Sequence, residues 1–326
     1  MRKRWTHDEL VAGVLADDRR ALARAISLVE NRDPEAERIV RELYPRTGSA
    51  YAVGVTGPPG VGKSSLIGAL VREVRGAGLT VGVVSVDPSS PFTQGALLGD
   101  RIRLSDHFLD PGVFIRSMGT RGHLGGLAEA TLQTLLLLDA AGRDVVFLET
   151  VGTGQSEVEV IGIADVVLLV LMPGSGDSVQ ALKAGIMEIP DVIAVNKMDH
   201  PGATTMVAEV RSIVALDPDR DRRPPILLTE AVRGEGVAEL WQELERRRDA
   251  LHGDGRLEER RRRNLRGEVV SVAAARARER IERALTTDAR LVGLLEEVQR
   301  RETDPLTVVG ALLDEVLGTD RAADAV

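Results

Sequence analysis

Seven short runs rich in Val, Ile and Leu, at residues 51–56, 80–86, 113–116, 144–149, 166–172, 191–195 and 225–229, constrain this chain more than any other feature. The runs are nearly continuous in apolar residues rather than alternating, and each is followed by Gly, Asp or Pro and then by a stretch with helical spacing. A strand that is apolar on both faces has to be covered on both, and a helix between successive strands makes its neighbours parallel. The expectation is an α/β fold with a mostly parallel sheet flanked by helices. Ligands of such sheets sit beyond the carboxyl ends of the strands. The glycine-rich and acidic strings of this chain lie there, just after the runs.

The sheet domain is expected over residues 49–248. Before it, residues 8–44 place Leu10, Val11, Val14, Leu15, Leu22, Ala25, Ile26 and Val29 at helical spacing, which predicts an N-terminal helical extension over 1–48. After it the strands stop. Residues 256–285 read as one long helix, followed by shorter ones near 288–300 and 305–317. The run Arg260-Arg261-Arg262-Arg263 reads first as a solvated face. The alternative is an arm for self-association, because the apolar Val269, Val270, Val272, Ala273, Ile281 and Leu285 need another surface. On that reading 249–326 is a C-terminal helical dimerisation region and the protein is a homodimer.

Composition narrows the partners. Aromatic residues are only 2% of the 326, so the core is built from Val, Leu, Ile and Ala, and capture of a ligand by aromatic stacking is disfavoured. A formal charge of -8 argues against a general nucleic-acid binder. With no cysteine there is neither a disulfide nor a thiolate metal site. The longest apolar stretch, Val166 to Met172, is too short to cross a bilayer, and Met1-Arg2-Lys3-Arg4-Trp5 leads into polar sequence. A soluble, cytoplasmic protein with no membrane partner is expected.

Directly after the first strand stands Gly57-Pro58-Pro59-Gly60-Val61-Gly62-Lys63-Ser64, a complete Gly-x4-Gly-Lys-Ser string, and Ser65-Leu66-Ile67 opens a helix behind it. Glycines at 57, 60 and 62 let several backbone N–H groups converge on one point, to which the helix adds the positive end of its dipole. Such a nest binds a polyphosphate, which makes the domain a P-loop NTPase. Lys63 reaches the β- and γ-phosphates as a point charge, and the Ser64 hydroxyl is one ligand of a bridging Mg²⁺. A Gly-rich turn without a ligand is the competing reading.

At the end of the sixth run, Asn196-Lys197-Met198-Asp199 resembles the guanine-reading box of GTPases. In those proteins the aspartate accepts hydrogen bonds from guanine N1–H and its 2-amino group, which adenine cannot supply, and a buried carboxylate left unpaired rejects the wrong base. Asn196 would hold the base and its neighbouring loop, and the stem of Lys197 would cover one purine face. Between the two strings a metal and switch layer is expected. Asp87 and Asp100 each put an acid in a loop near the phosphates, where hard oxygen ligands suit Mg²⁺, and a turn or cap acid is the other reading of each. Val145 to Glu149 is an apolar strand ending in an acid. Gly152, three residues on, could present its N–H to a γ-phosphate.

Taken together the strings resemble the MeaB/ArgK-type GTPases of the SIMIBI class, chaperones of adenosylcobalamin-dependent acyl-CoA mutases such as methylmalonyl-CoA mutase. The resemblance rests on Thr56 to Ser65, Val86-Asp87-Pro88-Ser89-Ser90, Leu98-Gly99-Asp100-Arg101, Met118 to Leu127, Glu149-Thr150-Val151-Gly152-Thr153-Gly154-Gln155-Ser156-Glu157 and Asn196 to Asp199, and extends over nearly the whole chain. It implies GTP and GDP as ligands, with Ser64, Asp87, Asp100 and Glu149 around Mg²⁺. It also implies a further switch at 172–183, where Asp177, Gln180 and Lys183 respond to the partner. The catalytic set it implies is Lys63, Glu149, Asp100, Asp177 and Lys183. The partner it implies is the mutase, whose cofactor loading and removal of damaged cofactor are gated, with a cobalamin adenosyltransferase as a second candidate.

Two departures from the family pattern are Pro58-Pro59, where Thr-Pro is frequent, and Thr229-Glu230-Ala231, in place of a Ser-Ala pair near guanine O6. His123 is read as a hydrogen-bonding residue rather than a base, since phosphoryl transfer to water depends more on positioning and charge. Two other functions compete: an ATP-using kinase or transport-associated ATPase of the ArgK type, and a nickel-delivery metallochaperone GTPase. The Asn-Lys-x-Asp box speaks against the first. The absence of Cys and the scatter of five His speak against the second.

Overall fold

The computed structural model describes residues 5–87, 104–119, 126–150, 162–174, 190–219 and 223–317. They fall into two compact units, 1–268 and 269–326. In the first, all seven apolar runs become strands: β1 (Tyr51–Thr56), β2 (Val81–Asp87), β3 (Val113–Gly119), β4 (Val145–Thr150), β5 (Val166–Leu171), β6 (Val192–Val195) and β7 (Ile226–Leu228). They form one sheet in the order β3-β2-β4-β1-β5-β6-β7, and every pairing is parallel. The expected mostly parallel sheet is thus wholly parallel among the described residues.

The helices of this unit are α1 (His7–Leu15), α2 (Arg19–Glu30), α3 (Pro34–Leu43), α4 (Lys63–Gly76), α5 (Gly126–Ala140), α6 (Ala203–Val214), α7 (Val237–Gly253) and the first part of α8 (Arg256–Thr287). Alternate residues of β2 and β4 feed different cores. Val53, Val55, Val83, Phe147 and Leu168 pack with Leu66, Ile67 and Leu70 of α4 and Leu240 and Leu244 of α7. Val84, Val86, Val146 and Leu148 point to the other face, where Leu137 and Leu138 of α5 share a core with Leu10, Leu22, Ile26, Ile39 and Leu43 of α1–α3. The N-terminal helices therefore complete one face of the sheet. Their ends are set locally: Thr6 and Glu9 form a reciprocal capping box, and Asp18 and Asp33 cap α2 and α3 through their side chains.

The arginine run departs from its expected solvated face. Arg260 donates to both oxygens of Asp191 at 2.7 and 3.0 Å, and Arg261 donates to Asp165 through Nε and Nη2, each at 2.7 Å. These carboxylates stand at the amino ends of β6 and β5, where they also accept the Val167 and Ala52 N–H groups at 2.9 Å. Both are buried. A carboxylate removed from water needs a counter-charge and hydrogen bonds, and α8 supplies both to the floor of the sheet. Only Arg262 and Arg263 of the run are exposed. Asp165→Ala, which leaves the Arg261 guanidinium and the Ala52 N–H without this partner, is expected to lower the unfolding free energy by about 3 kcal/mol. Arg263→Ala is expected to change it by less than about 0.5 kcal/mol. Urea melts of the two variants check the contrast.

The second unit contains the rest of α8, α9 (Ala289–Gln299) and α10 (Pro305–Leu317). Leu291 and Leu312 form its small core, with Ile281, Leu285 and Leu294 packed against them. Asp288 caps α9 by accepting the Arg290 and Leu291 N–H groups.

Candidate nucleotide site

The loop between β1 and α4 is held in a backbone conformation that two of its glycines make possible. Gly57 has φ +140°, and a Cβ there would lie 2.1 Å from the Val170 carbonyl oxygen of β5. Gly62 has φ +95°, and a Cβ there would lie 2.6 Å from Asn196 Nδ2. No side chain could be added at either without displacing a neighbour. Gly62 is also the N-cap of α4 and makes no side-chain cap, so the first-turn N–H groups at Lys63, Ser64 and Ser65 are not claimed by a capping side chain. Gly60, φ +80°, and the buried Val61 complete the turn. The Lys63 ammonium is buried and donates to the Gly57 and Pro58 carbonyls at 2.6 and 3.1 Å, so the cation lies on the loop itself.

Strand register builds the acidic side of the site. The β1·β4 and β2·β4 pairings place Val55 and Ser85 level with Glu149. The buried Glu149 carboxylate accepts the Ser64 hydroxyl at 2.6 Å on one oxygen and the Ser85 hydroxyl at 3.0 Å on the other. Ser64 and Glu149 thus present adjacent hard oxygens beside the phosphate loop, a donor pair that fits Mg²⁺. Ser85 is a site residue that motif reading missed. Its only signal is its position two residues before Asp87 on a strand whose neighbour is known only from the sheet order.

Asp87 ends β2 opposite Gly119. Its side chain lies outside the described residues, as do Asp100, His123, Gly152 and the part of the expected switch that carries Asp177, Gln180 and Lys183. Among the described residues no group of three or more His, Cys, Asp or Glu could hold a metal ion.

The Asn-Lys-x-Asp box follows β6 and closes on the phosphate loop. Asn196 is buried; its Nδ2 donates to the Val61 carbonyl at 2.9 Å, and its Oδ1 accepts the Thr229 hydroxyl and the Ala231 N–H, both at 3.2 Å. Lys197 adopts φ +61°, uncommon for a residue with a side chain, and its ammonium reaches the Gly60 carbonyl at 3.3 Å and Met172 Sδ at 3.1 Å. Asp199 is exposed, with the buried Glu230 beside it. A hydrogen bond with Glu230 holds the Asp199 carboxyl below the usual range, while the same contact, with burial, raises that of Glu230. One residue string therefore touches the phosphate loop, the stem of the 172–183 segment and the β7–α7 loop. Thr229 and Ala231 are partners that the box alone did not disclose. The arrangement can hold a polyphosphate at one end and offer a carboxylate to the edge of a base at the other.

The profile of a family described as methylmalonyl-CoA mutase-associated GTPase MeaB matches residues 22–286. A protein of Pyrococcus abyssi that carries a GTPase name is 46% identical over 315 residues, 95% of this chain and 97% of that protein. The Caenorhabditis elegans protein named methylmalonic aciduria type A homolog, mitochondrial, is 36% identical over 273 residues, 78% of this chain and 68% of that one. A crystal structure of LAO/AO transport system kinase superposes with a TM-score of 0.70 at 27% identity, covering 97% of this chain and 99% of the other.

Proposed function

Because the chain belongs to the MeaB family of methylmalonyl-CoA mutase-associated GTPases, we propose that it is a Mg²⁺-dependent GTP hydrolase that times the loading of adenosylcobalamin into an acyl-CoA mutase and the removal of damaged cofactor. The observation that carries the nucleotide part is the Asn196 side chain, which ties the phosphate loop at Val61 to the base-reading box and the Thr229–Ala231 loop. Phosphate and base are then sensed by one connected structure. The mutase as client is supported by the family description and by the name of the nematode relative.

Hydrolysis passes the γ-phosphoryl group to water, and the protein's task is to position it and to stabilise charge spreading over its oxygens. The N–H groups of the loop and of the first turn of α4 hold the β- and γ-phosphates, and Lys63 moves from the Gly57 and Pro58 carbonyls onto them. Ser64 and Glu149, with Asp87 and Asp100, would hold Mg²⁺, which supplies further neutralisation of the phosphates. Ser85 fixes the Glu149 carboxylate from behind. Asp199 reads the guanine edge, Asn196 and Lys197 support it, and Gly152 meets the γ-phosphate. Asp177, Gln180 and Lys183 report the state of the mutase, which completes a slow site.

Self-association through the C-terminal helices belongs to this proposal and is supported by Val269 and Val270, exposed at 62% and 63%. Among the described residues no helix is long and apolar enough to cross a membrane, and a cytoplasmic location is proposed with it. A cobalamin adenosyltransferase is the second proposed partner.

Thermal melts in excess GDP or ADP test the base assignment. At a hundredfold excess over Kd, GDP is expected to stabilise the protein by about 2.7 kcal/mol. ADP at the same concentration is expected to leave it near the unliganded value, and stabilisation by ADP alone would overturn the assignment in favour of an ATP-using enzyme. The client is tested by GTP turnover with and without purified methylmalonyl-CoA mutase, where an unchanged rate counts against the chaperone reading.

A further inference from the structure

Away from the nucleotide site, the start of α1 is fastened to α3 through one side chain. Glu35 lies in the first turn of α3 and Glu42 in its last, and His7, the residue that opens α1, lies across them. Its Nδ1 meets Glu35 Oε1 at 2.5 Å, and its Nε2 meets Glu42 Oε2 at 2.7 Å. Both ring nitrogens therefore face carboxylate oxygens, which can only accept. A neutral imidazole has one N–H and one bare nitrogen, so it donates to one carboxylate and sets a lone pair against the other. Only the imidazolium donates to both.

We propose that His7 is a proton-dependent clamp between α1 and α3: Glu35 and Glu42 hold it as the imidazolium, and the first turn of α1 comes loose from α3 as pH rises and the ring gives up its proton.

The hydrogen bond to Glu42, then that to Glu35, raises the His7 value above that of an ordinary histidine, and partial burial of the ring lowers it without reversing the direction. The positive end of the α1 dipole also opposes the proton. Around the pair, Arg38 Nη1 takes the other oxygen of Glu35 at 2.9 Å and leaves Oε1 to the ring. On α1 itself Glu9 turns back to the Thr6 N–H at 2.9 Å, and Asp8 is exposed. The charged groups of α2 and α5, which also pack on α1, are engaged elsewhere or exposed. Glu30 pairs with Arg116, Arg19 donates to Asp110 O, and Arg20 and Arg24 are exposed. Asp139 accepts the N–H groups of residues 48–50, and Glu129 accepts from Gln133. Because the His7 value is raised, the stabilisation is fully present below the ordinary 6.5 and is lost as pH rises through the raised value. Leu10, Val11 and Val14 stay buried in the core shared with α2 and α3 in either state. The change is thus confined to the first turn and to the chain entering it.

Ring-nitrogen NMR of the full chain, from about pH 5.5, above the ordinary carboxylate range, to about pH 9, tests the clamp. His7→Gln identifies the His7 signals among the five histidines. His7 is expected to titrate above the ordinary histidine value, with both nitrogens protonated below its midpoint. Glu35→Gln and Glu42→Gln are each expected to shift that midpoint down. The wild type is expected to melt about 2 °C above His7→Gln near pH 6. That gap should close towards about pH 9, because the glutamine amide donates to one carboxylate at every pH. A wild-type midpoint at or below the ordinary histidine value would overturn the proposal, and this result needs no variant beyond the one that assigns the signals. A midpoint that neither glutamate variant moves, or a melting gap that does not change with pH, would overturn it equally.

Discussion

Lys63→Ala is expected to cut GTP turnover by at least about a hundredfold and to remove the thermal stabilisation by GDP. The ammonium is a full positive charge buried on the phosphate loop, on the Gly57 and Pro58 carbonyls at 2.6 and 3.1 Å, whereas the part-buried Lys197 ammonium touches only the Gly60 carbonyl of the loop, at 3.3 Å. Backbone N–H groups alone leave most of the negative charge of a triphosphate unbalanced in a site sheltered from water, where charge interactions are strong. The variant should still fold. Leu66, Ile67 and Leu70 of α4 keep their places in the core, and alanine is a better helix former than lysine at the first turn. A melt without nucleotide is therefore expected to match the wild type to within about 1 kcal/mol. That separates a lost ligand from a lost fold. Wild-type turnover in Lys63→Ala would remove the phosphate loop from the mechanism.

The features legible in the sequence are those whose cause is local. The seven strands could be read because a doubly covered strand is nearly continuous in apolar residues, and the long C-terminal helix because residues 256–287 contain no proline and are rich in the helix formers Arg, Glu, Ala and Leu. The phosphate loop could be read because φ > 0 at Gly57, Gly60 and Gly62 is a demand on the residue itself. What escaped depends on neighbours far apart in the chain. Ser85 meets Glu149 only because β2 lies beside β4 rather than beside β1, an order that no run of residues announces. Arg260 and Arg261 look like solvated charges until Asp191 and Asp165 are found at the floor of the sheet, 69 and 96 residues away. The N-terminal helices read as a preface because amphipathic spacing tells which face is buried and not what covers it. In the fold they share one core with α5 and the sheet.

Asn196→Ala is expected to damage phosphate and base binding together, which Asp199→Asn should not do. The side chain donates to Val61 O in the phosphate loop and accepts from Thr229 and Ala231 in the loop beside Asp199. Its removal takes one hydrogen-bond partner from a loop carbonyl, a hydroxyl and an N–H at once, and each such group costs about 1–3 kcal/mol where it is buried without another partner. It also opens space next to Gly62, where Nδ2 now defines how closely the box approaches the loop. The unliganded protein should lose about 2–4 kcal/mol of stability, less than the sum of the three groups because water can enter at the rim. GDP affinity should fall by roughly a hundredfold or more, and affinity for inorganic pyrophosphate, which has no base, should fall with it. Asp199→Asn supplies the control: pyrophosphate binding should stay at the wild-type level while guanine preference is lost. If Asn196→Ala bound pyrophosphate as tightly as the wild type, the phosphate loop and the base-reading box would be independent sites, and the tie at Val61 would carry no coupling between them.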